Sequence, residues 1–132
     1  MAKIAFILLC HKDAPAIIAQ AERLSATGDY VAIHFDARAA ATDYAAITRA
    51  LAGNPRVVFA KKRVRCGWGG WSLVRATLNT LEVAVRSFPD ATHFYTLSGD
   101  CLPVKSASYA HRFLDAADRD YIEAFDFFTS GW

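Results

Sequence analysis

Short apolar stretches alternate with helical patterns along this 132-residue chain, and this alternation restricts the fold more than any other feature. Residues 3–9 are almost continuously apolar, which is typical of a strand buried on both faces. Similar stretches follow at 30–35, 56–60 and 93–97, and a fifth strand is expected from Tyr121. Strands that alternate with helices form parallel βαβ units. The sequence therefore predicts an α/β fold, Rossmann-like, with a mostly parallel sheet flanked by helices.

Capping residues and apolar spacing predict where the helices begin. Asp13 is expected to cap the first helix, and Thr42 the second. Ser72 is expected to cap the third helix, which continues to about Arg86. A fourth helix is expected over 107–116. The whole chain, residues 1–132, is predicted to be one domain, because its length and its 54% hydrophobic content are those of a single globular unit.

Composition argues against several classes of partner and location. A net charge of +2 is too small for nucleic acid to be the main partner. No apolar run reaches the roughly 20 residues that span a bilayer, although peripheral association with a membrane stays open. The cysteines, Cys10, Cys66 and Cys101, are odd in number and widely spaced. They indicate neither a disulfide framework nor a metal pair, so a reducing, cytoplasmic location is expected.

Polar residues follow the predicted strands at their carboxyl ends. His11 comes after the first strand, Asp36 after the second, and Ser98, Gly99 and Asp100 after the fourth. In open parallel sheets, ligands bind beyond the carboxyl ends of the strands. The sequence therefore predicts a ligand site at this edge.

A glycine-rich segment, residues 65–72, leads into the third predicted helix. Backbone N–H groups at such a helix start bind anions well, and a phosphorylated nucleoside fits this description. A loop whose glycines serve only tight packing is the alternative. Four cations lie at its start, and they either contact phosphate or form a solvated strand end: Lys61, Lys62, Arg63 and Arg65.

Four motifs occur in an order that resembles the core-2/I-branching glycosyltransferases, which include β-1,6-N-acetylglucosaminyltransferases and peptide O-xylosyltransferases. They are the segments 9–13, 33–36, 68–76 and 97–105, and together they span most of the chain. The resemblance implies a GT-A fold and a UDP-sugar donor. It also implies inversion at the anomeric carbon, transfer to a glycan or other hydroxyl acceptor, and independence from metal.

The resemblance also implies roles for individual residues. Asp36 and His11 would lie at the nucleoside, although Asp36 could be a plain turn aspartate and His11 could simply cap a loop. The donor-pocket loop would contribute Gly69, Gly70 and Ser72 to nucleotide binding. The side of the donor sugar and diphosphate would contain Arg65, Ser98, Gly99 and Asp100. Here the sequence departs from the family, which commonly has an aspartate at the position of Cys101.

Other candidates are expected to be structural. His34 is expected to be a packing histidine that points away from Asp36, because side chains alternate along a strand. Trp71 is expected in the core. Asp118 and Asp120 form an Asp-x-Asp pattern, but it follows a helix, so a turn is favoured over a metal site. No cofactor and no metal are predicted.

The catalytic base is not assigned. The family's catalytic glutamate and its diphosphate-binding cations are expected beyond Trp132, so the chain is expected to be the N-terminal part of a longer domain. Glu123 and Asp126 lie near the predicted edge, but neither is preferred as the base. A non-catalytic nucleotide-binding module is the main alternative. A different Rossmann-like enzyme is disfavoured, because the glycine motifs of NAD-binding and ATP-binding folds are absent.

Overall fold

A computed structural model describes residues 1–122, 124, 126, 128, 129 and 131 of the chain. Within these residues the fold is a sheet of parallel strands with helices on both faces, which confirms the predicted α/β class. The strand order is β3-β2-β1-β4. The strands are β1 (Ile4–Cys10), β2 (Tyr30–Phe35), β3 (Val57–Phe59) and β4 (His93–Ser98).

The helices divide between the two faces of the sheet. They are α1 (Ala14–Ser25), α2 (Ala41–Leu51), α3 (Trp71–Ser87) and α4 (Ala107–Asp115). One buried cluster joins α1 and α2 to one face of the sheet, and α4 packs against it. A second, smaller cluster joins α3 to the other face. The predicted helices are therefore present, with ends within a few residues of those expected.

The central strand β1 separates the two clusters because its side chains alternate. Phe6 and Leu8 belong to the cluster with α1 and α2, whereas Ala5 and Ile7 belong to the cluster with α3. This explains why residues 3–9 are almost continuously apolar. The edge strand β4 is more open, and its Tyr95 is exposed.

Only one of three predicted helix caps is correct. Asp13 caps α1, and its Oδ1 accepts a hydrogen bond from the Ala16 N–H at 3.2 Å. Thr42 does not cap α2, because that helix starts earlier and Ala40 is its N-cap. Ser72 does not cap α3, because Gly70 is the N-cap. Pattern reading locates a helix start only within a residue or two, and here backbone turns begin both helices sooner.

The predicted fifth strand starts at Tyr121, in the segment where residues 123, 125, 127, 130 and 132 lie outside the described part. The described residues of that segment form no strand. The candidate base Glu123 also lies outside the described residues. Asp126 is described and exposed, and its Oδ1 accepts a hydrogen bond from the Phe128 N–H at 2.9 Å.

Candidate functional site

Hydrogen bonds join the loops that follow β1, β2 and β4 at the carboxyl edge of the sheet. The Asp36 N–H donates to the Cys10 carbonyl at 2.9 Å. On the other side of β1, the Gly99 N–H donates to the Leu9 carbonyl at 3.0 Å. The parallel order β2-β1-β4 therefore brings these three loops together, as the sequence predicted.

The glycine-rich segment is attached to the same edge through the loop after β2. The Ala37 N–H donates to the Val64 carbonyl at 3.0 Å. The Asp36 carboxylate accepts from the Cys66 N–H at 3.3 Å, and the Arg38 guanidinium donates to the Cys66 carbonyl. The four candidate loops are therefore neighbours along one edge and do not lie on separate faces.

Asp36 is partly buried and has a structural task. Its Oδ1 accepts from the Arg38 N–H at 2.7 Å, a bond across two residues that forms an Asx turn. Both carboxylate oxygens also face the Cys66 N–H, at the longer distances of 3.3 and 3.4 Å. A carboxylate has about four acceptor positions, so lone pairs remain for a ligand hydroxyl or N–H. The turn role and a ligand role are compatible.

His34 is buried and structural, which confirms the packing role expected for it. Its Nε2 accepts a hydrogen bond from the Val64 N–H at 2.8 Å. The expectation that it points away from Asp36 is wrong, because Asp36 directly follows β2 and continues the alternation of its side chains, and positions two apart share a side. Both side chains bind the same segment, His34 at Val64 and Asp36 at Cys66. Burial lowers the pKa of His34, opposed by the nearby Asp36 carboxylate.

The glycine loop turns tightly before α3. Gly69 has φ +67°, a conformation that favours glycine, and the Gly70 N–H donates to the Gly67 carbonyl at 3.2 Å. The Ser72 hydroxyl accepts from the Gly67 N–H at 2.8 Å and so holds the loop closed. In the described part of the chain, the N–H groups of Gly69 and Ser72 have no acceptor. They are available to an anion at the N-terminus of α3.

Both tryptophans of the glycine loop lie at the surface. Trp68 is fully exposed, and Trp71 is 68% exposed. The expectation that Trp71 belongs to the core is therefore wrong. The buried residues of α3 begin at Ala76, one turn after Trp71.

The loop after β4 packs closely on the start of α1. A Cβ added to Gly99 would lie 2.7 Å from Ile17 Cδ1 and 2.9 Å from Cys10 Cβ, so only glycine fits. The Ser98 hydroxyl donates to the Cys101 sulfur at 3.1 Å. The Asp100 carboxylate is exposed and lies 3.8 Å from the Lys12 ammonium. Gly99 therefore has a packing role, while Ser98 and Asp100 present polar atoms at the edge.

A buried glutamine also holds the loop after β4, and sequence reasoning missed it. The Gln20 amide on α1 donates to the Ser98 carbonyl at 3.1 Å and to the Cys101 carbonyl. The signal for this contact is weak in the sequence, because a glutamine within the apolar stripe of α1 indicates no particular partner.

The four cations before the glycine loop have two different environments in the structure. Arg63 is turned inward, where its guanidinium donates to the carbonyls of Phe35 and Asp36, both at 2.9 Å. It also lies 3.9 Å from the centre of the Tyr44 ring. Lys61, Lys62 and Arg65 are exposed. Sequence alone does not distinguish the one structural arginine from its neighbours.

The remaining polar candidates have simple surroundings. His11 is exposed directly after β1. Burial raises the pKa of the Cys10 thiol to about 12, so it is not a ready nucleophile. Asp118 and Asp120 are exposed after α4.

Among the described residues, no three His, Cys, Asp or Glu side chains converge as metal ligands. No helix in that part of the chain has the length and apolarity to cross a membrane.

Comparison with known proteins identifies the family of the chain. The family model for the core-2/I-branching enzyme matches residues 4–130. No curated protein matches the chain significantly. The family match covers nearly the whole chain and includes all four motifs. The chain therefore belongs to the core-2/I-branching enzyme family, whose members are glycosyltransferases.

Proposed function

We propose that this chain carries the donor nucleotide-binding half of an inverting, UDP-sugar-dependent glycosyltransferase. The transferred sugar is N-acetylglucosamine or xylose, and the acceptor is a glycan or another hydroxyl compound. The observation that carries the proposal is the attachment of the glycine loop to Asp36 at the carboxyl edge of the sheet. It places a carboxylate, free loop N–H groups and the loops after β1 and β4 along one edge.

Each part of the proposed UDP-sugar donor matches protein groups of suitable chemistry along this edge. The Asp36 carboxylate accepts from ribose hydroxyls or the uracil N–H, beside His11. The free N–H groups at Gly69 and Ser72 support the binding of a phosphate near Gly70. Arg65, Ser98, Gly99 and Asp100 line the side of the diphosphate and the sugar. Gly99 contributes backbone and close packing there, because no side chain fits.

The reaction places two demands on the site. A general base removes the proton of the acceptor hydroxyl as its oxygen attacks the anomeric carbon. The bond from that carbon to the diphosphate breaks, and UDP leaves with the negative charge. In a reaction without metal, Arg and Lys side chains stabilise that charge. We assign neither the base nor a full set of these cations to the described residues.

The alternative is a module of the same fold that binds a nucleotide without catalysis. The described residues supply groups for nucleotide binding, such as Asp36 and the loop N–H groups, and binding by these groups needs no catalytic base, which agrees with this alternative. The three free cysteines agree with a reducing compartment such as the cytoplasm. Peripheral contact with a membrane is compatible with both functions.

Calorimetry and a turnover assay test the proposal. The chain is titrated with UDP and, as a control for base recognition, with ADP. It is then incubated with UDP-N-acetylglucosamine or UDP-xylose and a panel of hydroxyl acceptors, and released UDP is measured. UDP binding with acceptor-dependent release supports the transferase, and UDP binding without release supports the module. Equal binding of UDP and ADP contradicts a UDP-specific donor site, and absent binding of both contradicts both functions.

A further inference from the structure

One stripe of α3 has an unusual set of polar side chains. Trp71, Arg75, Asn79, Glu82 and Arg86 follow one another at intervals of three or four residues, so they share one face of the helix. This face does not pack on the sheet, because the buried residues of α3 are others, among them Ala76, Thr80 and Val83.

The stripe forms one wall of a groove, and residues 62–65 form the other. The Asn79 amide donates to the Lys62 carbonyl at 3.2 Å and so joins the two walls. The space between them has a volume of about 490 Å³. We call it the basic groove, and its lining includes Lys62, Arg65, Trp71, Arg75 and Asn79.

The basic groove is close to the glycine loop but extends away from it. Ser72, which closes that loop, is also part of the lining, whereas Asn79 lies two turns further along α3. A second, smaller space of about 270 Å³ continues past Asn79 to Arg86. An extended molecule that starts at the proposed donor edge could therefore continue along the groove.

Within the described residues, the positive charge of the basic groove is not neutralised by carboxylates. In the described part of the chain, Lys62, Arg65 and Arg75 have no ion-pair partner. The one carboxylate of the stripe, Glu82, is paired with Arg86 at 2.8 Å. Cations that converge on a concave surface repel one another and raise the local concentration of anions. The groove is therefore suited to a ligand with several negative charges.

The exposed Trp71 indicates which class of anionic ligand fits the groove. An indole ring that is 68% exposed beside arginines offers a flat apolar face, which suits the C–H face of a pyranose ring. Arginine in turn binds carboxylates through two parallel hydrogen bonds. A saccharide that has carboxylates satisfies both features, whereas a neutral glycan uses only the indole.

We propose that the basic groove binds the acidic part of an anionic oligosaccharide, which makes the acceptor of this glycosyltransferase a carboxylated glycan. This inference rests on the proposed function for the identity of the acceptor. The groove itself is argued from Lys62, Trp71 and Arg75, and Arg65 lies at the end that meets the proposed diphosphate side.

The test compares two probes and two double variants by calorimetry at low and high salt. The probes are a hyaluronan hexasaccharide, which has carboxylates, and the same hexasaccharide after carboxyl reduction, which is neutral. The groove variant is Lys62→Gln with Arg75→Gln. The control variant is Arg23→Gln with Arg49→Gln, which removes the same charge from exposed positions on α1 and α2, across the sheet.

We expect the wild-type chain to bind the acidic probe more tightly than the neutral one, and binding to weaken as salt rises. The groove variant should lose about tenfold or more in affinity, because it removes two of the cations that hydrogen-bond the carboxylates of the probe. The control variant should bind like the wild type. Melting curves of all three proteins verify that the fold is retained.

Three results would overturn the proposal. Equal losses in the groove and control variants would show that only net charge matters. Competition between UDP and the acidic hexasaccharide would place the groove inside the donor site. Tighter binding of a single-stranded oligonucleotide, with the same dependence on Lys62 and Arg75, would identify another class of ligand. UDP affinity measured on the same proteins reports separately on the proposed function.

Discussion

The imidazole Nε2 of His34 accepts a hydrogen bond from the backbone N–H of Val64 at 2.8 Å. Backbone pairing joins β2 to β3 only as far as Phe59, where β3 ends. Beyond that point the chain is held to β2 by the side chain of His34. Asp36 repeats the arrangement two residues later, at Cys66. The position of the glycine loop thus depends on two side chains, one from β2 and one from the residue that directly follows it.

The bond from Val64 to His34 makes stability depend on pH. Nε2 accepts only while the imidazole is neutral, and burial lowers the pKa of His34 below its usual 6.5, with Asp36 and Arg63 nearby. The unfolded chain therefore binds the proton more readily than the folded one, so the free energy of unfolding falls as pH falls below about 6.5. Urea denaturation at pH 7.5 and 5.5 measures this change. In His34→Gln it should be smaller, and an equal change in both proteins would contradict the assignment.

Asp36→Asn should separate the turn from the ligand role. Asparagine keeps an Oδ1 that accepts from the Arg38 N–H, so the Asx turn should be retained. The Cys66 N–H loses the nearer of its two long contacts, at 3.3 Å, so the melting temperature should fall only slightly. The second acceptor oxygen and the charge are lost, so UDP binding should weaken by about 1–3 kcal/mol. Calorimetry with UDP measures this loss, with Asp43→Asn on α2 as the matched control. Unchanged affinity in Asp36→Asn would exclude Asp36 from the nucleotide site.

Gly99→Ala should destabilise the fold by about 1–3 kcal/mol, because the added methyl group collides with Cys10 and Ile17. Gly53→Ala is the control, since a Cβ there has no atom within 4 Å and the free energy of unfolding should change by no more than about 0.5 kcal/mol. Urea denaturation compares the two variants. Similar stabilities would show that the end of β4 adapts easily.

Arg63→Gln should cost about 2 kcal/mol of stability. The substitution removes hydrogen bonds to the carbonyls of Phe35 and Asp36 and the contact with the Tyr44 ring. Lys61→Gln, on an exposed neighbour in the same run, should be nearly neutral. Thermal and urea unfolding of both variants measure the difference. If the two behaved alike, Arg63 would have no special structural role.

Metal removal should leave the proposed donor binding unchanged. We expect the same UDP affinity before and after treatment with EDTA, because the proposed donor contacts are protein groups such as Asp36 and the loop N–H groups. Calorimetry in EDTA, then in added Mn²⁺, makes the comparison. Loss of affinity in EDTA that Mn²⁺ restores would show that the donor needs a metal ion.

Local patterns predicted the parts of the fold that depend on local physics. The continuous apolar run of β1 indicated a strand buried on both faces, and Asp13 indicated the start of α1. Alternating elements also predicted the parallel sheet, and with it the meeting of the loops after β1, β2 and β4. These features follow from side-chain periodicity and from backbone hydrogen bonding within one turn.

The three-dimensional arrangement of the residues decided what the patterns missed. Ser72 has the chemistry of a cap, but the Gly67 N–H uses its hydroxyl. Trp71 is an aromatic residue expected in the core, but the buried side of α3 begins only at Ala76 and Trp71 stays exposed. Arg63 differs from Lys62 and Arg65 only because the end of β2 lies within its reach.

By itself, the sequence determined the fold class, the edge of the sheet where loops meet, and the family, since all three depend on short patterns and their order. Only the tertiary structure decided which polar atoms remain open to a ligand. That outcome depends on bonds between residues far apart in the chain, such as His34 with Val64 and Gln20 with Ser98. Such partners are set by how the elements pack, and no local pattern encodes them.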